Sequence, residues 1–95
     1  MRIDFDAAKS ARNERERGFG FLFAARIFLG DTIESPDNRR DYGEERIVAI
    51  GRIEHAILAV VYTWRTDEQD EPLRWIISAR MASRAERRKH AAFFA

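Results

Sequence analysis

Hydrophobic and polar positions change their spacing several times along this 95-residue chain, and each change marks an element. Ile3 and Phe5 alternate with Arg2 and Asp4, which predicts a short edge strand over Arg2–Phe5. Asp6 suits an N-cap, Ala7 to Arg17 are mostly strong helix formers, and Gly18 suits the C′ position, so a helix spans Ala7–Arg17. Its apolar positions are Ala7, Ala8 and Ala11, small residues expected to let it approach a sheet closely. In Phe21–Leu29 the spacing becomes i, i+3, i+4, i+7 at Phe21, Ala24, Ala25 and Phe28, a core stripe on a second helix. Leu22, Phe23 and Ile27 sit off that stripe. A helix apolar almost all round in so small a chain leaves a face for a partner.

Beyond Gly30 the period shifts towards two. Asp31–Glu34 reads as a weak strand, and Ser35–Gly43 as a polar loop with Pro36, Asp37 and Asn38. Arg46–Ile53, Ile57–Arg65 and Leu73–Arg80 are rich in β-branched and aromatic residues and read as strands, with Ile57–Val61 the central one. Ser83-x-x-Glu86 has the spacing of a capping box and opens a last helix over about Arg84–Phe93. The expected fold is α+β: a small antiparallel sheet with two N-terminal helices and one C-terminal helix, in a single domain over residues 1–95.

The charge refines this picture. The whole chain is +1, but residues 74–95 carry six Arg and Lys against one Glu, and the preceding Asp67-Glu68-Gln69-Asp70-Glu71 is acidic. Positive charge gathered at one end points to an anionic partner. The acidic run reads either as a solvated hairpin turn or as a guard against indiscriminate polyanion binding. Cysteine is absent, which excludes disulfides, thiolate zinc sites and a thiol nucleophile. Two distant histidines make no metal-ligand set, and no glycine-rich phosphate loop is present. Met1-Arg2-Ile3-Asp4 has no signal-peptide pattern, and Phe19–Leu29 is too short to span a bilayer and contains Arg26, so a cytoplasmic location without membrane contact is expected.

Several pieces in order resemble the BrnT family of type II toxins, which share the RelE-like fold of small ribonucleases. They are Phe5-Asp6 with Lys9 and Asn13; Arg17-Gly18 followed by Phe21, Ala24 and Phe28; and Gly43-Glu44-Glu45-Arg46 with Ile50-Gly51. Val60-Val61-Tyr62-Thr63-x-Arg65 and Ile76-Ile77-Ser78-Ala79-Arg80, then Ala82, Arg84, Glu86 and Arg87, complete the set. The chain departs from the family pattern at Phe5, in place of Trp, at Glu16-Arg17, in place of Lys-His, and at His90, in place of Tyr. Leu22 and Phe23 also stand where polar residues are usual.

The resemblance implies RNA cleavage without a metal or cofactor. That chemistry needs a base for the 2′-OH, cations for the phosphorane charge and an acid for the leaving oxygen. The expected catalytic residues are Arg65, Arg80 and His90, with Arg84, Arg87 and Arg88 binding RNA phosphates and all the guanidinium groups converging on one spot. Arg80, Ser78 and Ile76 alternate, which places them on one sheet face. Glu45 and Glu86 are alternative acid/base groups, and Tyr62 and Trp64 either stack on a base or pack in the core. The resemblance further implies a BrnA-like ribbon-helix-helix antitoxin, which would hold the toxin inactive and carry the complex to operator DNA. Leu22, Phe23 and Ile27 are the expected antitoxin contact, and the same apolar helix would serve a second copy equally well. Two other readings stay open: a catalytically inactive binding module of the same fold, and a DNA-binding protein in its own right.

Overall fold

The computed structural model describes residues 2–94 and orders them as β1 (Ile3–Phe5), α1 (Ala7–Arg17), α2 (Phe21–Ala24) running into a 3-10 segment (Ala25–Leu29), β2 (Thr32–Pro36), β3 (Ile47–Ile53), β4 (Ala56–Thr66), β5 (Pro72–Met81) and α3 (Arg84–Phe93). The α+β class is as expected. The five strands form one sheet in the order β1-β5-β4-β3-β2. It is mixed rather than wholly antiparallel, because β1 runs parallel to β5, with Asp4 beside Trp75. The α1–α2 excursion and the three following strands separate that pair, supplying the long connection a parallel pair requires.

Local chemistry sets the helix ends. Asp6 accepts a hydrogen bond from Lys9 N, and Gly18 closes α1 in the left-handed region at φ 89°. At α3 both halves of the capping box form: Ser83 Oγ accepts from Glu86 N at 3.1 Å, and Glu86 Oε1 accepts from Ser83 N at 2.8 Å. The acidic run is a built turn, since Asp67 Oδ1 accepts from Gln69 N and Glu71 N.

α1 does not pack through its alanines; Ala7, Ala8 and Ala11 are exposed. Its inner edge is Ser10, Asn13 and Arg17, and it is fastened by polar bonds. Ser10 Oγ accepts from Phe21 N, Asn13 Nδ2 donates to the Phe19 carbonyl, and Arg17 Nη1 donates to the Ala79 carbonyl, each at 2.9 Å. Arg17, which stands where the family pattern has His, thus ties α1 to β5 beyond the end of β1.

The two sheet faces differ in character. The first buries Phe21, Ala24, Ala25 and Ile27 against Ala49, Ile53, Leu58, Val60, Tyr62, Ile76 and Ala79. Gly51 makes room for Ile27: a β-carbon there would come within 2.7 Å of Ile27 Cβ. Ile27 is therefore fully buried, contrary to its expected place on a partner surface. The segment tightens to 3-10 geometry at Ala25, which turns Ile27 inward beside Ala24.

The second face carries Val48, Ile50 and Arg52 of β3; Ala59, Val61, Thr63 and Arg65 of β4; and Leu73, Trp75, Ser78 and Arg80 of β5, as the registers require. A bulge opposite Val61–Tyr62 inserts Ile77, pairing Val61 with Ser78 but Tyr62 with Ile76. It corrects the simple alternation: Ser78 and Arg80 share the second face, while Ile76 turns to the first.

Candidate nucleic-acid interface

The second face is bounded at one end by α3 and at the other by the 37–46 segment. That segment is organised around Asp37, which is 7 % exposed and takes a two-point hydrogen bond from Arg39 at 2.8 and 2.9 Å. The Arg39 guanidinium holds the Asp37 carboxyl below its ordinary range despite the desolvation that opposes it. Arg46 lies 4.0 Å over the Tyr42 ring, and Thr63 Oγ1 donates to the Glu45 carbonyl at 2.7 Å. This bond lays Glu44–Glu45 over the sheet beside Arg65, whose Nη2 is 3.9 Å from Glu44 Oε1. On its other side Arg65 sits over the Trp75 ring, 4.4 Å from the centroid.

At the opposite end Arg80 grips the start of α3. Its Nη1 and Nη2 donate to Glu86 Oε1 and Oε2 at 2.6 and 3.1 Å. Arg80, with the Ser83 backbone adding to it, brings the Glu86 carboxyl down to about 2 against the cost of burial. Glu86 thus caps the helix and pins it to β5, and both terminal nitrogens of Arg80 are already engaged.

Arg65 and Arg80 share this face but do not meet. Arg80 pairs with Ala59, six residues from Arg65 along β4, which separates the two by about 20 Å. The expected convergence on one spot is therefore not found: the two arginines lie at opposite ends of a face whose middle, Ile50, Ala59 and Val61, is buried. The α3 arginines divide as well. Glu86 faces Arg80 on the sheet and His90 is buried, while Arg84 and Arg88 lie about 160° round the helix from Glu86. These two point away from the sheet, and only Arg87 flanks it. Arg84, Arg87 and Arg88 are all exposed and form no ion pair among the described residues.

His90 is 6 % exposed, with its ring centroid 4.8 Å from that of Phe94. Burial, and then the charge of Arg52, pushes its pKa below the ordinary histidine value. With Asp31, Arg52, Ala91 and Phe94 it borders a cleft of about 300 Å³ at the rim of the face. A buried, neutral ring fits a packing role better than proton exchange with a bulky substrate. Tyr62 and Trp64 turn to the first face, where Arg74 sits among Phe28, Tyr62 and Trp64 at 4.5, 5.3 and 4.8 Å. Tyr62 is core, its hydroxyl bonded to Glu34, and its pKa is raised to about 12 by burial and then by that carboxylate.

The profile of the family described as "Ribonuclease toxin, BrnT, of type II toxin-antitoxin system" matches residues 5–86. The chain belongs to this family. No curated protein matches it. The BrnT match takes in Arg65, Arg80 and Glu86 and ends within the first turn of α3, short of His90. Among the described residues no three His, Asp or Glu side chains are placed to hold a metal ion, and no helix is long and apolar enough to cross a membrane.

Of the expected partner residues, Leu22 is 73 % and Phe23 40 % exposed. Phe23 packs on Phe19 and lies under Arg26, and with Phe19, Leu58 and Met81 it lines a groove of about 450 Å³. Sequence reasoning missed Arg52, Trp75 and the Arg2–Asp4 end of the second face. Alternation with Val48 and Ile50 was the available signal for Arg52; the others needed the β1–β5 register.

Proposed function

We propose that the chain is the toxin of a type II pair, a metal-independent endoribonuclease that arrests translation by cutting RNA in the cytoplasm. The observation that carries this is the family match over residues 5–86. The arginine-bearing second face supports it. Arg65 stands at one end of it and Arg52, Arg80 and Arg87 at the other, cations within reach of a strand that passes over the covered middle. In this reading Arg65 and Arg80 bind phosphates of one strand rather than a single one, and Arg80 exchanges part of its bond to Glu86 for a phosphate oxygen. Glu45, exposed next to Glu44, takes the 2′-OH proton as that oxygen attacks phosphorus, the departing 5′-oxygen takes a proton from water, and His90 packs α3. A BrnA-like ribbon-helix-helix antitoxin covers Leu22 and Phe23 and carries the complex to operator DNA.

The test is induced expression of the chain alone. Wild type is expected to arrest growth, Arg65→Gln and Glu45→Gln to relieve the arrest at equal soluble yield, and His90→Gln to leave it in place. A second reading is favoured by one set of contacts: Arg17 is spent on the Ala79 carbonyl and Arg80 on Glu86, and His90 is buried. No acid/base pair is assembled there, as in a binding module that has lost catalysis. A harmless wild-type chain that still binds its antitoxin selects this second reading.

A further inference from the structure

The far end of the second face, where β1 joins β5, holds a cavity of about 610 Å³ that includes Arg2, Asp4, Arg65, Asp67, Leu73 and Trp75 in its lining. That volume lies within the range of small-molecule sites. Its wall is rigid. Arg2 Nε is 2.8 Å from Asp67 Oδ2, and Asp67 Oδ1 holds two backbone N–H groups of the β4–β5 turn. One side is the Arg65 guanidinium seated over Trp75, an oriented cationic plate whose side chain is 45 % exposed. The parallel register sets Asp4 beside Trp75 on the same face. Asp4 Oδ1 accepts from Phe5 N at 2.8 Å, and Oδ2 has no hydrogen bond among the described residues.

A flat plate stacks a flat ring, and a carboxylate oxygen at its edge accepts only from a donor. We propose that this cavity is a nucleobase subsite for single-stranded RNA. Arg65 on Trp75 stacks the base, and Asp4 selects one that carries an exocyclic amino group. The proposal rests on the RNA reading above and adds a specificity determinant to it. Cytosine presents its N4 amino group to the Asp4 carboxylate, whereas uracil presents an O4 carbonyl, which the carboxylate repels. Stacking on the plate is tolerant of sequence, so discrimination falls to Asp4.

The experiment is fluorescence anisotropy of the full chain with labelled 2′-O-methyl oligo(C) and oligo(U), which bind but lack the hydroxyl nucleophile. Wild type is expected to bind oligo(C) roughly tenfold tighter than oligo(U). Asp4→Asn, an isosteric change at an exposed position, is expected to close most of that gap. Trp75→Leu is expected to weaken both oligonucleotides roughly tenfold, and a circular dichroism melt checks that it folds. Equal binding of the two by wild type, or a gap unchanged in Asp4→Asn, overturns the subsite. If wild type binds neither, the RNA reading fails and the subsite with it; if it binds both equally, only the subsite fails.

Discussion

Replacing Glu86 by Gln isolates the ion pair that holds α3 to the sheet. Gln keeps an oxygen for Ser83 N, so the capping box survives in part, but the charge facing Arg80 is lost. The pair is two-point and its carboxylate is 20 % exposed. An interaction of this kind is worth about 1 kcal/mol after solvent screening, or about 4–8 °C in Tm for a domain of this size. The sign with pH follows from the depressed folded-state pKa. Ionised Glu86 stabilises the fold fully above its ordinary value of 4.5, and that contribution is lost as pH falls towards about 2. Urea unfolding of wild type and Glu86→Gln at pH 7, 4.5 and 3 is therefore expected to show the full gap at pH 7 and a narrowing gap below 4.5. Asp37 and Asp67, whose carboxyls are also depressed, titrate in both proteins and cancel in the difference. A gap that stays constant down to pH 3, or no gap at pH 7, refutes the pin.

Gly51→Ala drives a β-carbon to within 2.7 Å of Ile27 Cβ, an atom that cannot swing aside, and is expected to cost about 2 kcal/mol and lower Tm by about 8–16 °C in a thermal melt. His90 faces Arg52 and borders the same cleft as Asp31. Because its pKa is lowered, the neutral ring stabilises the fold above pH 6.5, and that stability is lost as pH falls below it; the urea midpoint of His90→Leu is expected to fall less steeply over that range. Phe23→Glu is expected to weaken antitoxin co-purification and to lower Tm less than Ile27→Ala, which is expected to cost about 2–5 kcal/mol of stability; the reverse pattern rejects the assignment of these two positions.

Element order was legible because the signals were local. The Asp6 and Gly18 caps fixed α1 and the Ser83–Glu86 box fixed α3, with bounds that the structure reproduces. Side-chain direction was harder to read where it depends on distant partners. Ile77 is a bulge only by virtue of what β4 pairs with, so strict alternation misplaced Ile76. Ile27 looked like a surface residue until Gly51, 24 positions later, made space for it. Arg65 and Arg80 both sit near strand ends, but the hairpin that joins β4 and β5 makes those opposite ends of the sheet. Parallel pairing of β1 brought Asp4 to Trp75, a neighbour that no local pattern announces.

The most direct measurement is cleavage of a 5′-labelled single-stranded RNA by the purified chain in EDTA, followed on a sequencing gel. The account predicts discrete internal cuts by wild type and at least a tenfold slower rate for Arg65→Gln, with the variant shown to be folded at the assay temperature by circular dichroism. Intact RNA with the folded wild-type chain, cutting only when a divalent ion is supplied, or an undiminished rate in Arg65→Gln contradicts it.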